Sequence, residues 1–287
     1  MYKQINIIVL LVITLMVLSC EKTVDNIDLP EAEEKMVVYS FISPGCDTVF
    51  ADVTRSEPYF GNDIWGNSNE IVSDAELLFI HDGTERKLQY DPLEENYFVT
   101  LNGLQIKSGD TYQIKATAAG LEDIFSECTI PSPAPHDLTY EGADYYYEYG
   151  ERINMYFSFT DILDEENYYR LIVSESDTTY EGYVIWRKLN LSYDYFAYLL
   201  TDKNTSDGKI TAEISQYMGY EESDHTLKIT LLAIDKNYYK YYEKLNLVYN
   251  NDDNPFSEPV IPYSNIENGL GLFAGYTMHS KIITVKY

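Results

Sequence analysis

The amino-acid sequence predicts a mainly β protein, built as two β-sandwich domains in series, the second with one inserted α-helix. Three observations predict it. Apolar and aromatic residues come in short runs with a period of two, set between turn residues. Helical periodicity is nearly absent before residue 235. The stretch Pro131-Ser132-Pro133-Ala134-Pro135 then interrupts the pattern, with prolines that stiffen a connector and cannot join a ladder.

The first residues are a separate matter. Lys3 is followed by an aliphatic run over 5–18, broken only by Asn6 and Thr14. It is shorter than the roughly 20 residues a spanning helix needs, and has the length of a signal peptide. Val17-Leu18-Ser19-Cys20 matches the bacterial lipobox. The expectation is cleavage after residue 19 and lipidation of Cys20, each buried methylene of the acyl chains contributing about 0.8 kcal/mol to anchoring. Residues 20–35 read as an acidic flexible tether, with Glu21, Asp25, Asp28, Glu31, Glu33 and Glu34 and no hydrophobic period. The expected location is the outer membrane, lipid-anchored; the surface and periplasmic faces both fit.

The first domain spans 36–130. Strands are expected over 36–42, 48–54, 76–81, 86–90, 97–101, 111–118 and 124–130. Ser43-Pro44-Gly45 turns between the first two, and residues 61–69 form a loop around Trp65. Asp82-Gly83 is a strong two-residue hairpin signal. Seven short antiparallel strands in about 100 residues make a sandwich. Residues 131–136 are the connector and 137–287 the second domain. Its expected strands are 154–160, 168–174, 183–189, 209–214, 226–234 and 281–287. Over 235–249, Tyr238, Tyr241, Tyr242, Leu245 and Val248 fall at helical spacing behind Asp235, a good N-cap.

The charge balance narrows the partners. The chain carries 47 acidic against 20 basic residues, a net charge of −27 that becomes −28 once Lys3 leaves with the leader. Nucleic acid and anionic headgroups would be repelled, so neither is an expected ligand. With Cys20 lipidated, Cys46 and Cys128 remain, and an oxidising compartment allows a bridge between them. It would close a loop of about 80 residues and stabilise by roughly 4 kcal/mol in the chain-entropy picture. His81, His136, His225 and His279 lack ligand spacing, so no metal site is expected, and no cofactor.

The C-terminal stretch Asn254-Pro255-Phe256-Ser257-Glu258-Pro259, Ser264-Asn265-Ile266, Gly269-Leu270-Gly271-Leu272-Phe273 and Gly275-Tyr276 resembles the end of a lipoprotein family catalogued as domain of unknown function 4249. Asp28-Leu29-Pro30, Tyr59-Phe60, Ile130-Pro131 and Asn167-Tyr168-Tyr169-Arg170 agree with the resemblance. It implies an outer-membrane lipoprotein, often encoded beside a TonB-dependent receptor, and brings no catalytic residues with it. The first domain also looks like an Ig-like, carboxypeptidase-regulatory-like sandwich, with Ala75-Glu76-Leu77 and Gly109-Asp110-Thr111-Tyr112 opening strands. Within the C-terminal motif, Asn265, Ile266, Gly269, Gly271 and Phe273 read as structural: glycines for close backbone approach, Asn265 for an Asx-turn, and the apolar residues as plugs.

Chemistry is harder to place. Asp161, Asp164, Glu165 and Glu166 crowd one predicted turn without calcium-loop spacing. No nucleophile elbow, zinc-helix motif, phosphate loop or paired-cysteine motif occurs. Tyrosine is the outlier, 29 of 287 residues. The cluster Tyr145, Tyr146, Tyr147 and Tyr149 suits either an interface or a structural role. The expected function is non-enzymatic: an accessory subunit of a TonB-dependent transporter that captures a nutrient such as a chelated metal or a peptide. The alternatives are a surface glycan-binding lipoprotein and, behind it, an enzyme.

Overall fold

The structure is a computed structural model that describes residues 33–56, 70–146, 151–162, 165–179, 183–188, 198–204, 208–219, 224–251 and 262–286. In chain order the strands of the first half are β1 (Met36–Ile42), β2 (Thr48–Arg55), β3 (Glu76–His81), β4 (Thr84–Lys87), β5 (Gln89–Asp91), β6 (Asn96–Thr100), β7 (Thr111–Thr117) and β8 (Ile124–Thr129). The second half adds β9 (Thr139–Tyr146), β10 (Glu151–Thr160), β11 (Tyr168–Thr178), β12 (Val184–Lys188), β13 (Tyr198–Thr201), β14 (Lys209–Gly219) and β15 (His225–Ile234). The helix α1 (Lys236–Asn251) and the strand β16 (Leu270–Val285) follow. The chain is mostly β with one α-helix among the described residues, as the periodicity predicts.

Alternation does the local work. In β1, Met36, Val38 and Ile42 face inward; in β2, Val49, Ala51 and Val53 do. Against them lie Leu77 and Phe79 of β3 and Tyr112, Ile114 and Ala116 of β7, forming the first core. The β3–β4 hairpin turns through Asp82 and Gly83, both at positive φ, which matches strand twist. The second core packs Ile153, Met155 and Phe157 of β10 on Leu171, Val173, Ile229 and Leu231 of β11 and β15. Sheet β14-β10-β9 thus faces the β11-β15 sheet, and sheet β4-β3-β7-β8 faces β1, β2 and β6.

The sequence places a single final strand over 281–287, whereas β16 begins at Leu270 and runs sixteen residues. Its first half pairs in parallel with β1, from Val37 beside Leu270 to Ile42 beside Gly275. Its second half pairs antiparallel with β15, from Ile234 beside Tyr276 to His225 beside Val285. One nine-stranded sheet therefore runs through both halves of the molecule. Phe273 and Ile266, counted in sequence with the second domain, complete the first core instead. The described residues from Glu34 onward form one compact unit.

Two further differences have simple causes. The expected strand 86–90 is two strands, because the chain leaves the ladder at buried Leu88, whose N–H still donates to the Leu77 carbonyl at 3.0 Å. Strand β9 was not expected, since its sequence alternates weakly around Gly142; it pairs at the sheet edge with a register shift opposite Phe157.

Candidate functional site

The C-terminal motif is a seam, and each of its residues has a mechanical task. The Asn265 amide imitates a strand: its nitrogen donates to the Phe273 carbonyl at 2.7 Å and its oxygen accepts the Phe273 N–H at 3.0 Å. The Asn265 carbonyl accepts the Ser126 hydroxyl of β8 at 2.9 Å. Ile266 is buried in the first core. At Gly269, Gly271 and Gly275 a Cβ would stand 2.8, 2.1 and 2.7 Å from the Met36 carbonyl, the Val38 carbonyl and the Ile130 side chain. The glycines let β16 press against its neighbours.

Above that seam lies α1. Asp235 caps it, accepting the Tyr238 N–H at 2.8 Å, and its other oxygen accepts the Gly275 N–H of β16. Burial pushes its carboxyl up to about 6, against the opposing effect of these backbone donors. Tyr238, Tyr239, Tyr241 and Tyr242 of α1 pack with Tyr168, Leu272, Ala274 and Tyr39 as a third, aromatic core. The tyrosines of α1 are thus structural. Arg170 is enclosed within it, its guanidinium 4.1 Å from the Tyr242 ring centre and donating to the Tyr238 hydroxyl. Its Nε has no hydrogen-bond partner among the described residues.

Beyond α1 the same sheet face is uncovered by any described element, and its composition is unusual. The register puts Ile172 and Ser174 of β11 beside Thr230 and Lys228 of β15, and Thr230, Lys228 and Thr226 beside Ser280, Ile282 and Thr284 of β16. Val184 and Trp186 of β12 extend the face, opposite Thr178 and Ser176. Not one carboxylate stands on these described positions, in a chain with 47 acidic residues. Met278, Ile282 and Val184 are 57, 61 and 64 % exposed. Lys228 leans over the Trp186 ring at 6.0 Å, and Thr230 and Ser280 share a hydrogen bond of 2.9 Å. The outward face of the opposing sheet carries Glu141, Asp144 and Glu213 instead, bonded to Lys209, Tyr156 and Asn154. At the sheet end, β12 pairs on one side only among the described strands, and Tyr183 just before it and Ile185 within it are exposed. Exposed apolar surface joined to an open strand edge is what a protein-docking face requires.

The other candidates fall elsewhere. Cys20, Tyr147 and Tyr149 lie outside the described residues, as do Asp164, Trp65 and the segment 254–259. Tyr145 packs on the second core and its hydroxyl donates to the Lys286 carbonyl, while Tyr146 is 49 % exposed on edge strand β9. The cluster is therefore divided between core and surface. The bridge between Cys46 and Cys128 is not formed: both are free thiols. Cys46 sits half-buried in the β1–β2 turn, while Cys128 is buried within β8, where desolvation pushes its thiol well up. The acidic turn is tied to protein partners. Asp161 accepts the Tyr169 hydroxyl at 2.7 Å, Glu165 the Ser132 hydroxyl at 2.9 Å, and Glu166 pairs with Lys236 at 2.9 Å and Lys203 at 3.4 Å. Hydrogen bonds from Tyr168 and Lys236 hold Glu166 down to about 2.

A cavity of about 590 Å³ opens at one end of the first sandwich, with Asp47, Asn102, Gln105 and Cys46 in its lining and no basic residue. Among the described residues no group of three or more His, Cys, Asp or Glu is placed to hold a metal ion. None of their helices is long and apolar enough to cross a membrane. What sequence reading missed is the open face, whose residues come from four strands and share no local motif.

Comparison with known proteins adds a family and a set of distant folds. A family model described as domain of unknown function (DUF4249) matches residues 23–282. No curated protein matches the chain. Among solved structures, the chicken CNTN1 FN1–FN3 domains are similar at 8 % identity and a TM-score of 0.27, over 88 % of this chain and 67 % of that one. A variant of Salmonella alpha-2-macroglobulin is similar at 9 % identity and a TM-score of 0.25, over 91 % of this chain and 15 % of its own. Trypsin-activated alpha-2-macroglobulin from Escherichia coli is similar at 9 % identity and a TM-score of 0.24, over 71 % of this chain. The chain spans 15 % of either macroglobulin.

Proposed function

The chain belongs to the family described as domain of unknown function (DUF4249), and from that premise we propose that it is a non-enzymatic, lipid-anchored protein of the cell envelope. In this reading it serves a TonB-dependent outer-membrane transporter as an accessory subunit, in the capture of a chelated metal or a peptide. The observation that carries the proposal is the carboxylate-free outer face around Trp186, Met278 and Ile282, continuous with the open edge of β12. A surface of net charge −27 repels most acidic neighbours. A partner polypeptide can approach this face without that repulsion, and each large apolar side chain buried there contributes about 1.5–3 kcal/mol. The lipobox ending at Cys20 and the acidic stretch behind it support the anchored part of the reading.

The test is recovery of the native lipoprotein from detergent-solubilised envelope membranes, with its companions identified by mass spectrometry. A TonB-dependent transporter should co-purify with the wild-type chain, and its yield should fall at least tenfold with the double variant Met278→Asp, Ile282→Asp. Recovery of the folded chain with no transporter counts against the proposal.

A further inference from the structure

His136 and His279 are 143 residues apart in the chain, yet their Nδ1 atoms stand 3.1 Å from each other. The rings are nearly perpendicular, with centres 4.9 Å apart. The pairing follows from how β16 holds the connector. Alternate residues on one side of the strand grip alternate residues of residues 132–138. The Thr277 hydroxyl donates to the Ser132 carbonyl at 2.9 Å and accepts the Ala134 N–H at 2.8 Å. Lys281 donates to the Leu138 carbonyl at 3.2 Å. His279 and His136 are the middle rung of this lacing, so both backbones are held on either side of the pair. His279 is half-buried and His136 is exposed, leaving one side of the pair open to solvent.

We propose that His136 and His279 form a bidentate site for a divalent transition metal of the zinc, copper or nickel class. Neutral imidazole is the ligand these ions favour. With metal–nitrogen bonds of about 2.0–2.1 Å, two nitrogens 3.1 Å apart subtend about 100° at the metal, close to tetrahedral. Water completes the coordination. The two rings now share one hydrogen bond, Nδ1–H to Nδ1; turning each ring slightly about its Cβ–Cγ bond aims both lone pairs at one point, and the donor ring carries its proton on Nε2 instead.

The charged neighbours are Asp137, whose carboxylate accepts the Thr160 N–H, and Lys281, whose ammonium is engaged by the Leu138 carbonyl. The net charge of −27 raises the local concentration of any cation. The other two histidines have carboxylate partners instead, His81 with Asp110 at 3.3 Å and His225 with Glu175. This inference stands on the histidine pair alone and is independent of the docking reading.

The experiment is a calorimetric titration of the full-length chain in detergent with zinc at pH 7.5. It should show one site per chain. His136→Gln and His279→Gln should each weaken it at least tenfold, and the double variant little further, because chelation is lost with the first histidine. His81→Gln and His225→Gln should leave the affinity within twofold. Circular dichroism checks that the variants keep the wild-type fold. Zinc binding equally tight in the double variant, which would mean carboxylates alone bind it, overturns the proposal, as does a wild-type chain that takes up no zinc.

Discussion

At Gly271 a Cβ would meet the Val38 carbonyl oxygen at 2.1 Å, and the backbone has φ of +105°. Both the clash and the dihedral oppose any L side chain. Gly271→Ala is predicted to destabilise the fold by about 3 kcal/mol or more, read from urea unfolding. A loss under about 1 kcal/mol would show that β1 and β16 do not press together as described. Asp235 offers a second test at this scale. Burial lifts its carboxyl to about 6 from an ordinary 3.8, so the folded chain holds that proton more tightly than the unfolded chain does. Its contribution is fully present below pH 3.8 and is lost as pH rises through 6, a swing of about 3 kcal/mol. Asp235→Asn keeps a capping side chain without the titration. Relative to that variant, wild-type stability in denaturant should fall between pH 4 and pH 7; a parallel course of the two would contradict the assignment.

At the scale of elements, the sequence was most legible where a single period governed a run. Strands β1, β2, β3, β7, β8 and β15 and the helix α1 follow from alternation or helical spacing, and the Asp82-Gly83 turn from its dipeptide. Legibility failed where tertiary contact overrides local preference. Residues 269–275 hold three glycines, which signal close backbone approach but break any strand period; they are the half of β16 that only small residues allow so close to β1 and Ile130. The open face was illegible for a different reason. It is an arrangement of Trp186, Lys228, Met278 and Ile282 across strands, and its mark is a missing residue type rather than a motif. The histidine pair was hidden in the same way, by a separation of 143 positions along the chain.

For the whole molecule, β16 decides how the two halves behave. It shares Phe273 with the first core and Val285 with the second, while α1 sits over the seam between them. The connector that proline content marks as a spacer is laced to β16 by Thr277 and Lys281. The two cores should therefore unfold together. Near-ultraviolet and far-ultraviolet circular dichroism are predicted to give one coincident thermal transition, with matching calorimetric and van't Hoff enthalpies. Two separated transitions would mean the halves are independent bodies on a string.

The open face belongs to the same compact unit as the two cores, and partner docking on that face is open to a direct test. It is tested most directly by photo-crosslinking in intact cells, with a photoreactive residue placed at Ile282 or, on the opposing acidic face, at Tyr156. An adduct with a TonB-dependent transporter is expected from position 282 and none from 156. Adducts from 156 alone, or from neither position in a folded and membrane-associated chain, would contradict it.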